Sequence, residues 1–119
     1  MAGQQGTDGA GTLLSMVGVT ALGTVSGGAV SVAPGGVTTV TISANTTFTL
    51  PAPVAGARLE LIVTQDATGS RTATWAATSG SVLFTGGTKT LSTTASYVDK
   101  VSFVSDGTNW YGTLGVHLS

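Results

Sequence analysis

The chain has 119 residues, a formal net charge of −1 and only 8% charged side chains. At this length a single core can bury roughly 65% of the surface that the extended chain exposes. The charge balance gives no electrostatic reason for a polyanionic partner, so nucleic acid is not an expected ligand, and the absence of cysteine excludes a disulfide framework and a thiolate metal site.

Residues 1–11, MAGQQGTDGAG, are Gly-rich and polar, with nothing to bury and a high ordering cost. GTDGAG has the outline of a phosphate-cradling loop, but no strand precedes it, so it reads as linker. The run TLLSMVGVTALGTVSGGAV is apolar. It nevertheless lacks a basic leader, follows Asp8, and is interrupted every few residues by Gly, Ser or Thr, so neither a membrane span of ~20 residues nor a signal peptide is expected. Within it, Leu13, Val17 and Ala21 have helical spacing while Val17 and Val19 alternate as in a strand, leaving residues 12–22 open between the two. The resulting division is a Gly-rich arm over 1–28 and a β-domain over 29–119.

From residue 29 the pattern is β. AVSVA at 29–33 ends at Pro34-Gly35-Gly36, a strong turn signal. VTTVTIS at 37–43 alternates Val40 and Ile42 against Thr39 and Thr41, and TTFTL at 46–50 does the same with Phe48 and Leu50. Ala44-Asn45 between them suits a tight hairpin, because Asn tolerates positive φ, so these two strands are expected to pair. Pro51 and Pro53 end the ladder. RLELIVTQ at 58–65 groups Leu59, Leu61 and Val63, and RTATWA at 71–76 follows a turn at 66–70. SVLF at 81–84 and a weak edge strand, TKTLS at 88–92, come next. YVDKVSFVS at 97–105 and NWYGTLGV at 109–116 form a last hairpin across Asp106-Gly107-Thr108. Short strands with Gly, Pro and Asn punctuation imply an all-β fold: an antiparallel β-sandwich or small barrel, jelly-roll-like in kind. The expected core is Val40, Ile42, Phe48, Leu50, Leu59, Leu61, Val63, Trp75, Phe103, Trp110 and Leu114. Trp110 and Tyr111 point to opposite faces of their strand, so Tyr111 is expected on the outer face or at a subunit contact.

Convergent catalytic groups are scarce. The sole histidine, His117, lies near the C-terminus, reads as a solvated terminal residue, and has no Gly-x-Ser-x-Gly elbow to serve. Of the five scattered acids, only Asp66 and Asp106, in neighbouring turns, could approach the ~5–9 Å separation of a glycosidase pair, and both occupy positions where Asp bonds its own backbone. One histidine and no cysteine leave no zinc set, and no acidic loop has calcium-binding spacing. Asn45-Thr46-Thr47 matches a glycosylation sequon but marks a turn. The expectation is a protein that is not an enzyme and uses no cofactor. After Asp8 the next charge is Arg58, and a small protein so sparing with charge is expected to be covered by partners over part of its surface.

SANTTFTLPAPVAGARLELIVTQDATGSRTATW followed by VDKVSFVSDGTNWYG resembles a β-domain of tailed-bacteriophage structural proteins, found in short stand-alone head proteins and at tail-fibre ends. The resemblance covers roughly residues 38–114. WAATSGSVLFTGG departs from it by lacking a Pro and a second Trp after Trp75. The resemblance implies a non-enzymatic virion component, homo-oligomeric and often trimeric, made in the host cytoplasm. Between its two settings, the short chain without a repetitive shaft suits a capsid decoration protein bound to the major capsid protein on the outer shell; the alternative is a tail-fibre or receptor- and carbohydrate-binding module. In the decoration setting the arm would lie along the shell or a neighbouring subunit, with Leu13, Leu14, Met16 and Val17 as apolar anchors.

Overall fold

The computed structural model describes residues 18–118. The chain is all-β. The described residues form nine strands: β1 Val19–Val25, β2 Gly28–Ser31, β3 Val37–Ile42, β4 Thr46–Leu50, β5 Arg58–Gln65, β6 Ala73–Ala77, β7 Val82–Phe84, β8 Val98–Ser105 and β9 Trp110–Gly115. A short 3₁₀ turn, Thr85–Gly87, follows β7. No helix among the described residues is long and apolar enough to cross a membrane. The strands make two sheets, one of six strands in the order β1-β3-β5-β8-β9-β7 and one of three in the order β2-β4-β6.

Both sheets are built by winding. β1, β3 and β5 lie parallel in the first sheet, and β2, β4 and β6 lie parallel in the second. Each turn of the chain therefore adds one strand to each layer. Val19 pairs with Val37 and Gly28 with Thr46, an advance of 18 residues in both sheets. The third turn is longer because the Pro51–Gly56 and Asp66–Arg71 loops bulge from it.

The pairing corrects the antiparallel expectation. β3 and β4 do not form a hairpin; the chain passes between them from one sheet to the other. Asn45 is absent from the positive-φ residues, and its Oδ1 instead accepts from the Thr72 N–H of the next turn at 3.0 Å. The corner next to it needs a glycine, since a side chain at Gly27 would come within 2.9 Å of the Asn45 carbonyl oxygen. Antiparallel pairing is confined to β5–β8 and β8–β9, the second being the hairpin expected across Asp106-Gly107-Thr108. β7 joins β9 in parallel.

Two segment assignments also change. Residues 19–28, read as arm, supply β1 and the start of β2; the register of β1 slips between Ala21 and Thr24, with Gly23 at φ 68°, and this bulge breaks the alternation that marks a strand. Residues 88–92 form no strand. Their polar groups are engaged otherwise: the Lys89 carbonyl accepts the Trp75 indole N–H at 2.9 Å, and the Ser92 N–H donates to Asp99.

The core lies between the layers. Val40, Ile42, Phe48, Leu50, Leu59, Leu61, Val63, Phe103 and Trp110 are buried, together with Val32, Leu91 and Val101. Each large aliphatic or aromatic side chain so buried contributes about 1.5–3 kcal/mol. Leu114 is half-buried against this cluster, as is Trp75, which was expected inside it. Trp75 lies on β6, an edge strand of the three-stranded sheet, where it stacks on Phe48 with ring centroids 5.3 Å apart.

Candidate docking face

Only one side of the six-stranded sheet meets the three-stranded one. Alternation sends Leu59, Leu61, Val63, Val101, Phe103 and Trp110 inward and leaves their neighbours on the opposite face. The registers set those outward residues in rows. Arg58, Val104, Tyr111 and Leu83 run across β5, β8, β9 and β7; Val19, Val37, Glu60, Ser102 and Thr113 form a second row; Ala21, Thr39, Ile62 and Lys100 form a third. The face is thus mainly valine, isoleucine and hydroxyl side chains.

Val19, on the second row, is the most exposed large apolar side chain of these rows at 67%, and Leu83 and Tyr111, 46% and 39% exposed, are directly opposed in the β7–β9 register. Tyr111 is held in place. Its hydroxyl donates to Asp106 Oδ2 at 2.9 Å, while Asp106 Oδ1 accepts from the N–H groups of Thr108 and Asn109 at 2.8 and 2.9 Å. The Asp-Gly turn therefore closes the hairpin and orients the tyrosine. These donors, Asn109 first, then Thr108 and the Tyr111 hydroxyl, hold the Asp106 carboxyl below the usual aspartate range. On the second row, Glu60 accepts from Ser102 Oγ at 2.7 Å and lies 3.7 Å from Lys100 Nζ. That ion pair is solvent-exposed and adds little stability, but it pairs two of the three charges in these rows, leaving Arg58.

The other residues singled out in the sequence are occupied locally. Leu13, Leu14, Met16 and Val17 lie outside the described residues. Tyr97 stacks on His117, centroids 3.7 Å apart and planes within 5°. His117 is exposed, as its reading as a solvated residue near the C-terminus has it, but it is stacked on Tyr97, and its backbone N–H donates to Asp99 Oδ1 at 2.8 Å. Asp66 pairs with Arg71 at 3.0 Å and caps the N–H groups of Thr68 and Gly69, so its carboxylate serves its own turn.

Sequence reasoning missed Asp99. It is 2% exposed and accepts from the Ser92 N–H, the Ser92 hydroxyl and the His117 N–H. The signal was its parity: in β8 it alternates in step with Val101 and Phe103. Gln65, also buried, similarly ties the β5 end to Arg71 and Ser92 through three hydrogen bonds.

Two grooves flank these elements. One, about 390 Å³, runs along the free edge of β6 between Trp75, Thr72 and Thr74 on one side and Lys89, Thr90 and Leu91 on the other. The second, about 590 Å³ and open, lies between Pro34–Gly36 and Gly56–Glu60. Comparisons with protein-family models, with curated proteins and with solved structures found no match.

Proposed function

We propose that this chain is a non-enzymatic structural protein of a tailed-bacteriophage virion, a capsid decoration protein that docks on the outer shell through the outward face of its six-stranded sheet. The observation that carries the reading is the exposed Leu83–Tyr111 pair, directly opposed on a broad outward sheet face, with the Tyr111 hydroxyl bonded to Asp106 before any partner arrives. Pre-ordering an aromatic anchor lowers the entropic cost of binding. The resemblance of residues 38–114 to phage structural domains supplies the setting, a homotrimer on the major capsid protein.

Co-sedimentation with heads of the encoding phage tests this. The wild-type chain should bind saturably, and a Leu83→Glu/Tyr111→Glu variant should remain folded but bind at least about tenfold more weakly, the scale of losing one anchor. Equal binding by the variant removes the face from the account; no binding by the wild type removes the function.

One observation favours a receptor- or carbohydrate-binding reading. The β6 groove sets the half-buried Trp75 beside three threonine hydroxyls and Lys89, a pairing of apolar wall and hydroxyl donors that suits a sugar ring. Saturable glycan binding lost in Trp75→Leu would support it. Tyr97 and Tyr111 are poorer platforms, one being covered by His117 and the other tethered to Asp106.

A further inference from the structure

The smaller sheet stops short of the larger one. It ends at β6, whereas the six-stranded sheet continues through β8, β9 and β7, so that Trp75 meets Phe103 and Phe84 across the layers at centroid distances of 5.7 and 5.3 Å. A further strand of the smaller sheet would lie in the groove between β6 and residues 89–91.

Both walls of that groove hold backbone groups without a partner. Parallel pairing with β4 uses alternate residues of β6: the Thr72 carbonyl accepts from the Thr46 N–H at 2.9 Å, and the Thr78 N–H donates to the Leu50 carbonyl at 3.0 Å. Thr74 and Ala76 are in step with these two, so the N–H and C=O groups of Ala73, Trp75 and Ala77 point away from β4. Among the described residues none of these groups has a hydrogen-bond partner. On the other wall Leu91 is 5% exposed, and its N–H and C=O also lack a partner among the described residues. Backbone groups at that depth are almost always paired. β6 also carries none of the devices that blunt a sheet edge: ATWAA has no charge and no proline, and its register with β4 does not shift.

Charge narrows the choice of occupant. Lys89 is the one charged side chain lining the groove, and neither ion pair among the described residues involves it. An ammonium group calls for a carboxylate, and edge groups recurring every second residue call for an extended backbone. A sugar could engage the threonine hydroxyls but would not match that two-residue repeat.

We infer that β6 takes an extended, acidic segment of a partner protein as a fourth strand of the smaller sheet, laddered on Ala73, Trp75 and Ala77 with a carboxylate beside Lys89. This is independent of the shell-docking face, which lies on the other sheet. Main-chain hydrogen bonds carry the affinity, and the exposed ion pair is the smaller contribution, so Lys89 biases the choice of segment.

The test is an amide NMR titration of the full-length chain with the capped pentapeptide Ac-Thr-Val-Glu-Val-Thr-amide. Signals of Ala73, Trp75 and Leu91 should move saturably. The same peptide N-methylated at two successive residues should bind at least about tenfold more weakly, because one of the two must face β6. Replacing its glutamate by lysine should weaken binding about two- to fivefold. Ala73→Pro removes an N–H that β4 does not use, so the variant should fold and show the same tenfold loss. No movement of these signals, or binding indifferent to N-methylation, overturns strand addition. Equal or tighter binding of the lysine peptide overturns the acidic preference. The same signals moved by cellobiose and not by the peptide would assign the groove to a sugar and overturn the inference.

Discussion

Trp110, at the start of β9, donates its indole N–H to the carbonyl of Pro51, 59 residues earlier, at 2.8 Å. The bond ties the last hairpin to the proline that ends β4, and it satisfies the one polar atom of a fully buried side chain. Trp110→Phe should cost about 2–4 kcal/mol, from the orphaned carbonyl together with the unfilled volume. Urea unfolding of the variant would show this as a lower midpoint at unchanged slope.

Asp99 joins three segments, because Ser92, His117 and β8 meet on one buried carboxylate. Asp99→Ala strands those donors without acceptors and should destabilise the fold by about 3 kcal/mol. It should also free the C-terminal residues. Limited proteolysis near His117, negligible in the wild type, should become rapid; a protease-resistant C-terminus in the variant would argue against this knot.

Gly112 makes room for the aromatic cluster. A side chain there would meet Phe103 and Phe84 at 2.9 Å, and those two rings pack edge to face with centroids 5.8 Å apart. Gly112→Val should cost about 1–3 kcal/mol through overpacking although valine suits a strand. The ring-current-shifted NMR signals of Phe84 and Phe103 should move with the loss of stability.

Acid should weaken the fold through two turns. Asp66 is held below the ordinary aspartate value of 3.8, chiefly by the Arg71 side chain and then by the Gly69 N–H, and Asp106 is held below it chiefly by the Asn109 N–H. A carboxyl with a lowered folded pKa contributes stability that is complete above its unfolded value and is withdrawn as pH falls through the folded one. The urea midpoint should therefore hold steady down to roughly pH 4–5 and decline below it. In Asp66→Asn/Asp106→Asn it should start lower at neutral pH and decline less.

The inward and outward faces were legible because period-two alternation does not depend on how strands pair. Val40, Ile42, Phe48 and Leu61 face inward whether their neighbours run parallel or antiparallel. For the same reason the alternation could not reveal the winding. That information sits in the 18-residue recurrence of Gly-Val-Thr at 18–20 and 36–38, and the Gly23 bulge obscures the first copy. The Asp106 turn was readable because its chemistry is local. Pairing of Leu83 with Tyr111 was not, since it joins a three-residue strand to a distant one. Trp75 has inward parity, but its strand is an edge, so burial stays incomplete.

The most direct measurement of the proposed function is an electron cryomicroscopy reconstruction of heads of the tailed phage that the proposal takes as the source, incubated with the purified chain. The proposed docking requires density at threefold-related positions on the outer shell, with the six-stranded sheet turned toward the capsid and Leu83 and Tyr111 in contact with it. Decorated heads with that sheet turned to solvent, or heads bearing no added density, would contradict it.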